Sequence, residues 1–364
     1  MKTKRLKMSL RSISIGVAIL LLLASCNVDP SKITVKPKAL GVMNDILVVA
    51  DADIWESVIG DTIQDIFGGY YPITHRPEPI FDLRYFTAEE INQEPLRKQL
   101  RTYMIVANLA DENSAATKMV KEDLGNERFN RGLTDSTFNT SVGKDKWANG
   151  QIVIYVFANG INALSKAIVD NFDGISSRVN EHDLIQLNQT TYARGENLGL
   201  AAVLKERFGA DIIIPTDYKT VLDSLEQDKM MWFRKETKTG TMNVVLREYD
   251  YSGPELLTEA SAKKRFDLFG INVSSAQPET YIIINNVDLP LLTFDRSING
   301  NYTKEYRGIW EMENDFFGGS YQGYAIVNES TSKMLVMDAF VHAPGQRKRD
   351  MMQQLDRIAK RIKW

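Results

Sequence analysis

Glu311 and Glu313 stand two residues apart in Trp310-Glu311-Met312-Glu313, followed by Asp315 and by Gly318-Gly319. On a strand, residues two apart share a face. The two carboxylates could therefore bind a cation or divide acid–base work, and beside Trp310 and a glycine turn they could meet a sugar. A solvated strand face is the ordinary alternative for exposed acids. A second set is His342-Ala343-Pro344-Gly345, running into Arg347-Lys348-Arg349. Basic residues at a helix start oppose the helix dipole, and a local anion, held also by free backbone N–H groups, would relieve them. Salt bridges to surface acids would do the same without a ligand. The candidate ligand-binding residues are thus Trp310, Glu311, Glu313, His342, Arg347 and Arg349. Asn159-Gly160 after a strand offers a weaker anion nest, and reads first as a turn.

Recognised catalytic sets do not assemble. Ser141-Val142-Gly143-Lys144, Lys238-Thr239-Gly240 and Ser297-Ile298-Asn299 spell S-x-x-K, K-T-G and S-x-N. Their order is wrong for a penicillin-recognising serine enzyme, and Ser141 falls in a polar stretch where that chemistry needs a buried helix start. The sequence has no G-x-S-x-G elbow, no H-E-x-x-H and no P-loop. Its three histidines, His75, His182 and His342, lack metal-ligand spacing. We therefore expect no metal and no cofactor, and assign no catalytic residue. Arg357, Lys360, Arg361 and Lys363 fall at the end of the last helix, where its dipole favours cations.

These residues must be positioned by the elements around them. Ile46–Val49 reads as a short apolar strand, and Asp51 and Asp53 offer caps to a helix with Trp55, Val58, Ile59, Thr62, Ile63, Ile66 and Phe67 at 3.6-residue spacing. Ile80–Phe86, Tyr103–Leu109 and Ile152–Phe157 read as strands, the last turning into a helix through Leu164, Ile168, Phe172 and Ile175. Asp111–Gly150 reads as loop, with a short helix near Lys118–Leu124. A helix bearing Leu200, Val203, Leu204 and Phe208 ends at Gly209, and a strand Ile212–Pro215 follows. Thr239-Gly240 joins a hairpin. A helix from Pro254 reaches Phe269-Gly270. The end is clearest: a strand Ile309–Glu313, a hairpin from Tyr321–Val327 to Met334–Val341, then a helix with Met352, Leu355, Ile358, Ala359 and Ile362 on one stripe. Strands in runs with helices after them predict an α+β fold with mostly antiparallel sheets. Both halves end as strand, strand, helix, which leaves two similar α+β halves open, as residues 41–209 and 210–364. The repeated Ile-Trp-Glu (Ile54, Ile309) and Phe-Gly-Gly (Phe67, Phe317) differ in spacing and match chance.

The N-terminus carries a different chemistry. Five basic residues in the first eleven precede an apolar run, Ile13–Leu23, closed by Ala24-Ser25-Cys26. A charged start, a short apolar run and small residues define a secretory signal. Spanning a bilayer takes about 20 apolar residues, more than this run supplies. Cys26 is the only cysteine of the 364 residues, so no intrachain disulfide can form. The stretch resembles the bacterial lipobox, which implies cleavage after residue 25 and lipidation of Cys26. Residues 26–40 then form a tether. Asn27 in place of an aspartate implies, by the sorting rule of diderm bacteria, the outer membrane. The absence of an acidic cluster behind it favours the periplasmic face. Removing residues 1–25 takes the formal net charge from −3 to −8. An acidic globule argues against nucleic acid as partner.

Asp45–Val49, Val142–Ala148, Arg307–Met312 and Phe340–Gly345 with Arg347–Asp350, in this order behind a lipobox, resemble a Bacteroidota lipoprotein family known as a domain of unknown function. The resemblance runs from about Leu40 to the end and implies lineage and location. The expectation is a membrane-anchored envelope lipoprotein, a non-enzymatic binding or accessory module with an envelope protein as partner. The alternative is a hydrolase of envelope glycans or peptides using paired carboxylates.

Overall fold

A computed structural model describes residues 36–72, 74, 76–224 and 229–364. Cys26, its lipobox and His75 lie outside the described residues. The fold is α+β, built on two sheets.

The first half carries β1 (Asp45–Val49), α1 (Ala52–Trp55), α2 (Val58–Phe67), β2 (Asp82–Phe86), α3 (Ala88–Gln93), β3 (Thr102–Asn108), α4 (Ala115–Thr134), β4 (Thr140–Lys144), β5 (Ile152–Ala158), α5 (Ile161–Asp170) and α6 (Phe172–Thr191). Its strand order is β2-β1-β3-β5-β4. The pairings of the fold are mostly antiparallel, as the sequence predicts, and this sheet is the exception: β2, β1, β3 and β5 run parallel, and only β4 joins β5 antiparallel. The physical reason lies in burial. Ile46, Val48, Met104 and Val106 pack under α2, α5 and α6, while Leu47, Val49, Tyr103 and Ile105 pack under α3 and α4. A sheet covered on both faces by helices reads as continuous apolar runs, and that is the signature of parallel strands.

Two local departures have identifiable causes. The single helix expected after Asp51 is split, because the Ser57 side chain accepts from the Ile59 N–H at 3.2 Å and starts α2 afresh. The loop expected over 111–150 contains the 20-residue α4, interrupted at Gly125, whose φ of 76° leaves the helical region.

The second half carries α7 (Leu198–Phe208), β6 (Lys219–Ser224), β7 (Met230–Glu236), β8 (Thr241–Asp250), α8 (Glu259–Gly270), β9 (Tyr281–Asn285), β10 (Leu292–Ile298), β11 (Asn301–Glu313), β12 (Gly318–Asn328), β13 (Lys333–His342) and α9 (Arg349–Ala359). Every pairing is antiparallel, in the order β10-β11-β12-β13-β8-β7-β6 with β9 also on β11. Phe266 and Phe269 of α8 cover one face of this sheet. Leu204 and Phe208 of α7 cover the other, together with Met352, Leu355 and Ile358 of α9. Helix α7, expected with the first half, is thus buried in the core of the second. Ile212 and Ile214 enter that core from an extended segment held by the isolated bridges Asp211–Lys363 and Glu196–Pro215, not from a strand.

The halves are joined along α9. The Asn44 side chain, ahead of β1, exchanges hydrogen bonds with Gln353 at 2.9 Å and donates to Asp350 at 3.1 Å. Arg357 Nε donates to Asn188 Oδ1 of α6 at 2.6 Å. Among the described residues no helix is long and apolar enough to cross a membrane.

Candidate functional site

Strands β11, β12 and β13 bring the two sequence-derived sets to one end of the second sheet. The register places Glu311 across from Gly318 and Trp310 across from Gly319. His342 closes β13 beside them, its Nδ1 3.4 Å from the Gly318 carbonyl oxygen. Trp310, Glu311, Asp315, His342 and Gly345 line one cleft of about 350 Å³.

Trp310 shapes the cleft floor from within the core. Its Nε1 donates to the Val341 carbonyl at 3.1 Å, its ring meets Phe340 edge-on at 5.6 Å, and 4% of the residue is exposed. The rings open to a ligand are those of Phe316, fully exposed, and Phe317, which meets His342 edge-on at 5.1 Å.

The acids are held by a neutral hub. Asn285 Nδ2 donates to Glu311 Oε2 and to Asp288 Oδ2, 2.7 Å in each case. Both amide hydrogens are thereby used, and the two carboxylate oxygens stand no more than about twice a hydrogen-bond length apart. Asn285 is itself fixed, because its Oδ1 accepts from the N–H groups of Val287 and Asp288 at 3.0 Å. Asp315 Oδ2 accepts from Ser275 at 2.6 Å. Lys348 also lines the cleft. Its Nζ donates to the Gln346 carbonyl at 3.0 Å, and burial lowers its pKa against the opposing pull of Glu78, with Arg76 adding to the lowering.

The other sequence candidates fall elsewhere. Glu313 is half-buried opposite Tyr281 of β9 and does not line the cleft. Arg347 and Arg349 turn to the first half, where both meet the Asp82 carboxylate, at 2.7 and 2.8 Å. Glu78 accepts from the N–H groups of Lys348 and Arg349 at 2.7 and 2.8 Å. The anion wanted at the start of α9 is therefore the protein's own glutamate. Asn159 donates to the Leu133 carbonyl, as a turn residue does.

Sequence reasoning missed Asn285, Asp288, Phe316, Phe317 and Lys348. Asn285-Asn286-Val287-Asp288 carried a turn signal, but its partner Glu311 lies 26 positions on. No local spacing links them. Among the described residues no cluster of His, Cys, Asp or Glu is placed to hold a metal ion.

Two models of domains of unknown function match the chain, and together they cover most of its length. Residues 198–361 match the domain of unknown function DUF4837, and residues 39–192 match the domain of unknown function DUF8532. The break between the matches falls just before α7, where the second core begins. No curated protein matches the chain. Part of the chain is similar to the human StarD13 (DLC2) lipid transfer and protein localization domain, with 15% identity over 44% of this chain and 93% of that chain. The TM-score of 0.21 gives this likeness no bearing on fold or function.

Proposed function

We propose that this protein is a non-enzymatic binding module of the cell envelope, belonging to a Bacteroidota lipoprotein lineage. In this reading Cys26 is lipidated and holds the module on the outer membrane at its periplasmic face. The charged start, the short apolar run and the lone cysteine at Cys26 support the anchor.

The binding reading rests on one observation. Asp288 and Glu311 are presented side by side on the Asn285 amide, in a cleft that the exposed Phe316 and Phe317 also line. Paired carboxylates accept hydrogen bonds from neighbouring sugar hydroxyls, and an exposed ring takes the apolar C–H face of the same sugar. The ligand we read is an envelope saccharide. An acid–base pair for hydrolysis needs two carboxylates in contrasting environments. Here one amide serves both, and Glu313 is absent from the cleft, so binding is favoured over hydrolysis.

The test is a thermal-shift titration of the mature chain with N-acetylglucosamine oligomers. The wild type should gain a dose-dependent shift, and Glu311→Gln should lose it with an unchanged far-UV spectrum. A shift that survives the substitution refutes the cleft. Turnover of the oligomers refutes the non-enzymatic reading.

A further inference from the structure

A second cavity, larger than the cleft at about 520 Å³, opens between α7 and the end of α9. Arg357, Lys360, Arg361 and Lys363 line it against a single acid, Asp211. That concentration runs against the −8 charge of the chain behind the signal. The pairing is also incomplete. Asp211 already meets Lys205 at 2.8 Å, Lys360 meets Asp356 at 2.6 Å and Arg361 meets Glu196 at 2.7 Å. Arg357 donates only to the neutral Asn188, and Lys363 has no ion-pair partner among the described residues. Arg357 and Arg361 are like charges four positions apart, and they repel each other.

The helix dipole explains cations near the end of α9, but not the cavity. The Asp356, Ile358 and Ala359 carbonyls accept from the backbone N–H groups of Lys360, Arg361 and Ile362 at 2.9, 3.2 and 3.0 Å, so the helix end is capped without the cationic side chains. The facing wall is apolar, made by Ala201, Ile213 and Leu198, the last 68% exposed. Burial first, and then Arg361, lower the Arg357 pKa, and a bound anion would offset both.

We propose that this cavity binds an organic phosphate, with the phosphoryl group among Arg357, Arg361 and Lys363 and the carbon portion against Leu198 and Ile213. A carboxylate is matched by a single guanidinium fork. Two guanidinium groups and an ammonium match the three oxygens and near-double charge of a phosphate monoester. Two sources share this chemistry, a soluble phosphate ester and the headgroup of an anionic phospholipid.

The experiment uses the mature chain carrying Cys26→Ser, so that no lipid anchor is present. Calorimetry with glycerol 3-phosphate reports the soluble source. Sedimentation with phosphatidylglycerol vesicles, against phosphatidylcholine vesicles, reports the headgroup. Binding by either probe should weaken at least tenfold in Arg357→Gln/Arg361→Gln and stay within twofold in Lys118→Gln/Lys121→Gln, which removes the same charge from α4, outside the cavity. If the first variant fails to fold, Lys363→Gln and Leu198→Asp replace it, and each should weaken binding on its own. Silence of both probes, equal losses in the cavity and control variants, or equal binding of succinate overturns the proposal. The saccharide titration of Glu311→Gln is unaffected by any of these outcomes, so the two sites fail separately.

Discussion

Arg349 Nη2 lies 2.8 Å from Asp82 Oδ2, across 267 positions of sequence. The same guanidinium donates to the Pro79 carbonyl at 2.8 Å, and Glu78 caps the N–H groups of Lys348 and Arg349. Three residues at the edge of the first half thus hold the start of α9, whose apolar stripe is buried in the second. An interface of this kind fixes the two cores relative to each other. It also explains why a helix can begin on Arg-Lys-Arg, which its dipole alone would disfavour.

Asp82 serves two arginines of unequal exposure, and the difference predicts unequal cost. The Arg349 side chain is 3% exposed and that of Arg347 is 65% exposed. Breaking a buried pair leaves an uncompensated charge and costs about 3–5 kcal/mol, whereas an exposed pair contributes about 0–1 kcal/mol. Urea unfolding should therefore show a large loss for Arg349→Met and a small one for Arg347→Met. Equal losses would mean that the clamp is not what joins the halves.

Two aspartates should tilt stability with pH in opposite directions. Burial would raise the Asp82 pKa, but hydrogen bonds from Arg349 and Arg347, and their charges, outweigh it and hold the group below its usual range. A depressed carboxyl stabilises the fold above the unfolded value of about 4, and that contribution disappears as pH falls through the folded value. Asp338 is raised by burial, against the lowering by Tyr321, whose hydroxyl donates to it at 2.6 Å, and by Arg265 and Arg247. Its penalty grows as pH rises from about 4 through the folded value. Urea midpoints collected from pH 3 to 7 should lose part of their acid-side fall in Asp82→Asn. In Asp338→Asn they should rise toward neutral pH relative to wild type. Parallel profiles for all three proteins would refute both assignments.

Much of the second half is legible because its signals are local. The β12–β13 hairpin, the β7–β8 hairpin and the α9 stripe each carry their pattern within about twenty residues, and the structure reproduces all three. The first half is less so. Its parallel order depends on which helices cover Met104 and Val106, and no spacing within β3 states that. Of helix α4 only the part near Lys118–Leu124 is legible, and the rest is hidden by Gly125, which shifts the phase of its apolar residues. Of the cleft, Glu311 and His342 were visible as types. Their meeting requires the β11–β12–β13 register, and the Asn285 hub requires β9 to pair with β11, both of which are tertiary facts.

Two glycines should answer oppositely to alanine. A Cβ on Gly319 would fall 1.9 Å from the Val341 carbonyl oxygen and 3.0 Å from Trp310 Nε1, so backbone must move under the cleft. We expect a loss of about 3 kcal/mol or more, at the upper end for single substitutions. Gly174 lies in α6 with nothing within 4 Å of its Cβ position. Alanine there should gain about 0.5–1 kcal/mol from helix propensity. Thermal melts of both variants check the pair, and a stable Gly319→Ala would show that β12 and β13 tolerate separation.

Phe316 separates binding from stability. Its side chain is fully exposed, and its backbone N–H is held by Asp315 Oδ1 at 2.8 Å, which alanine retains. Phe316→Ala should therefore change stability by no more than about 0.5 kcal/mol. The same change should weaken saccharide binding several-fold, because loss of a stacking ring costs about 1 kcal/mol. An unaltered affinity would remove the aromatic half of the proposed recognition and leave the carboxylates alone.

The anchor can be tested apart from the globule. Each buried methylene contributes about 0.8 kcal/mol, so two or three acyl chains on Cys26 hold a protein stably where one does not. Among the described residues no helix could replace them. Exported behind an ordinary cleavable secretory signal, with Cys26→Ser, the chain should move from the membrane pellet to the soluble periplasmic fraction. Its unfolding midpoint should not change, since the substituted position lies ahead of the residues that form both cores. Release only at high salt would point to a charged surface that binds the membrane, and the phosphate cavity would be the first place to look. Retention through a high-salt wash would mean that something other than the lipid holds the protein, and the lipoprotein reading would fall.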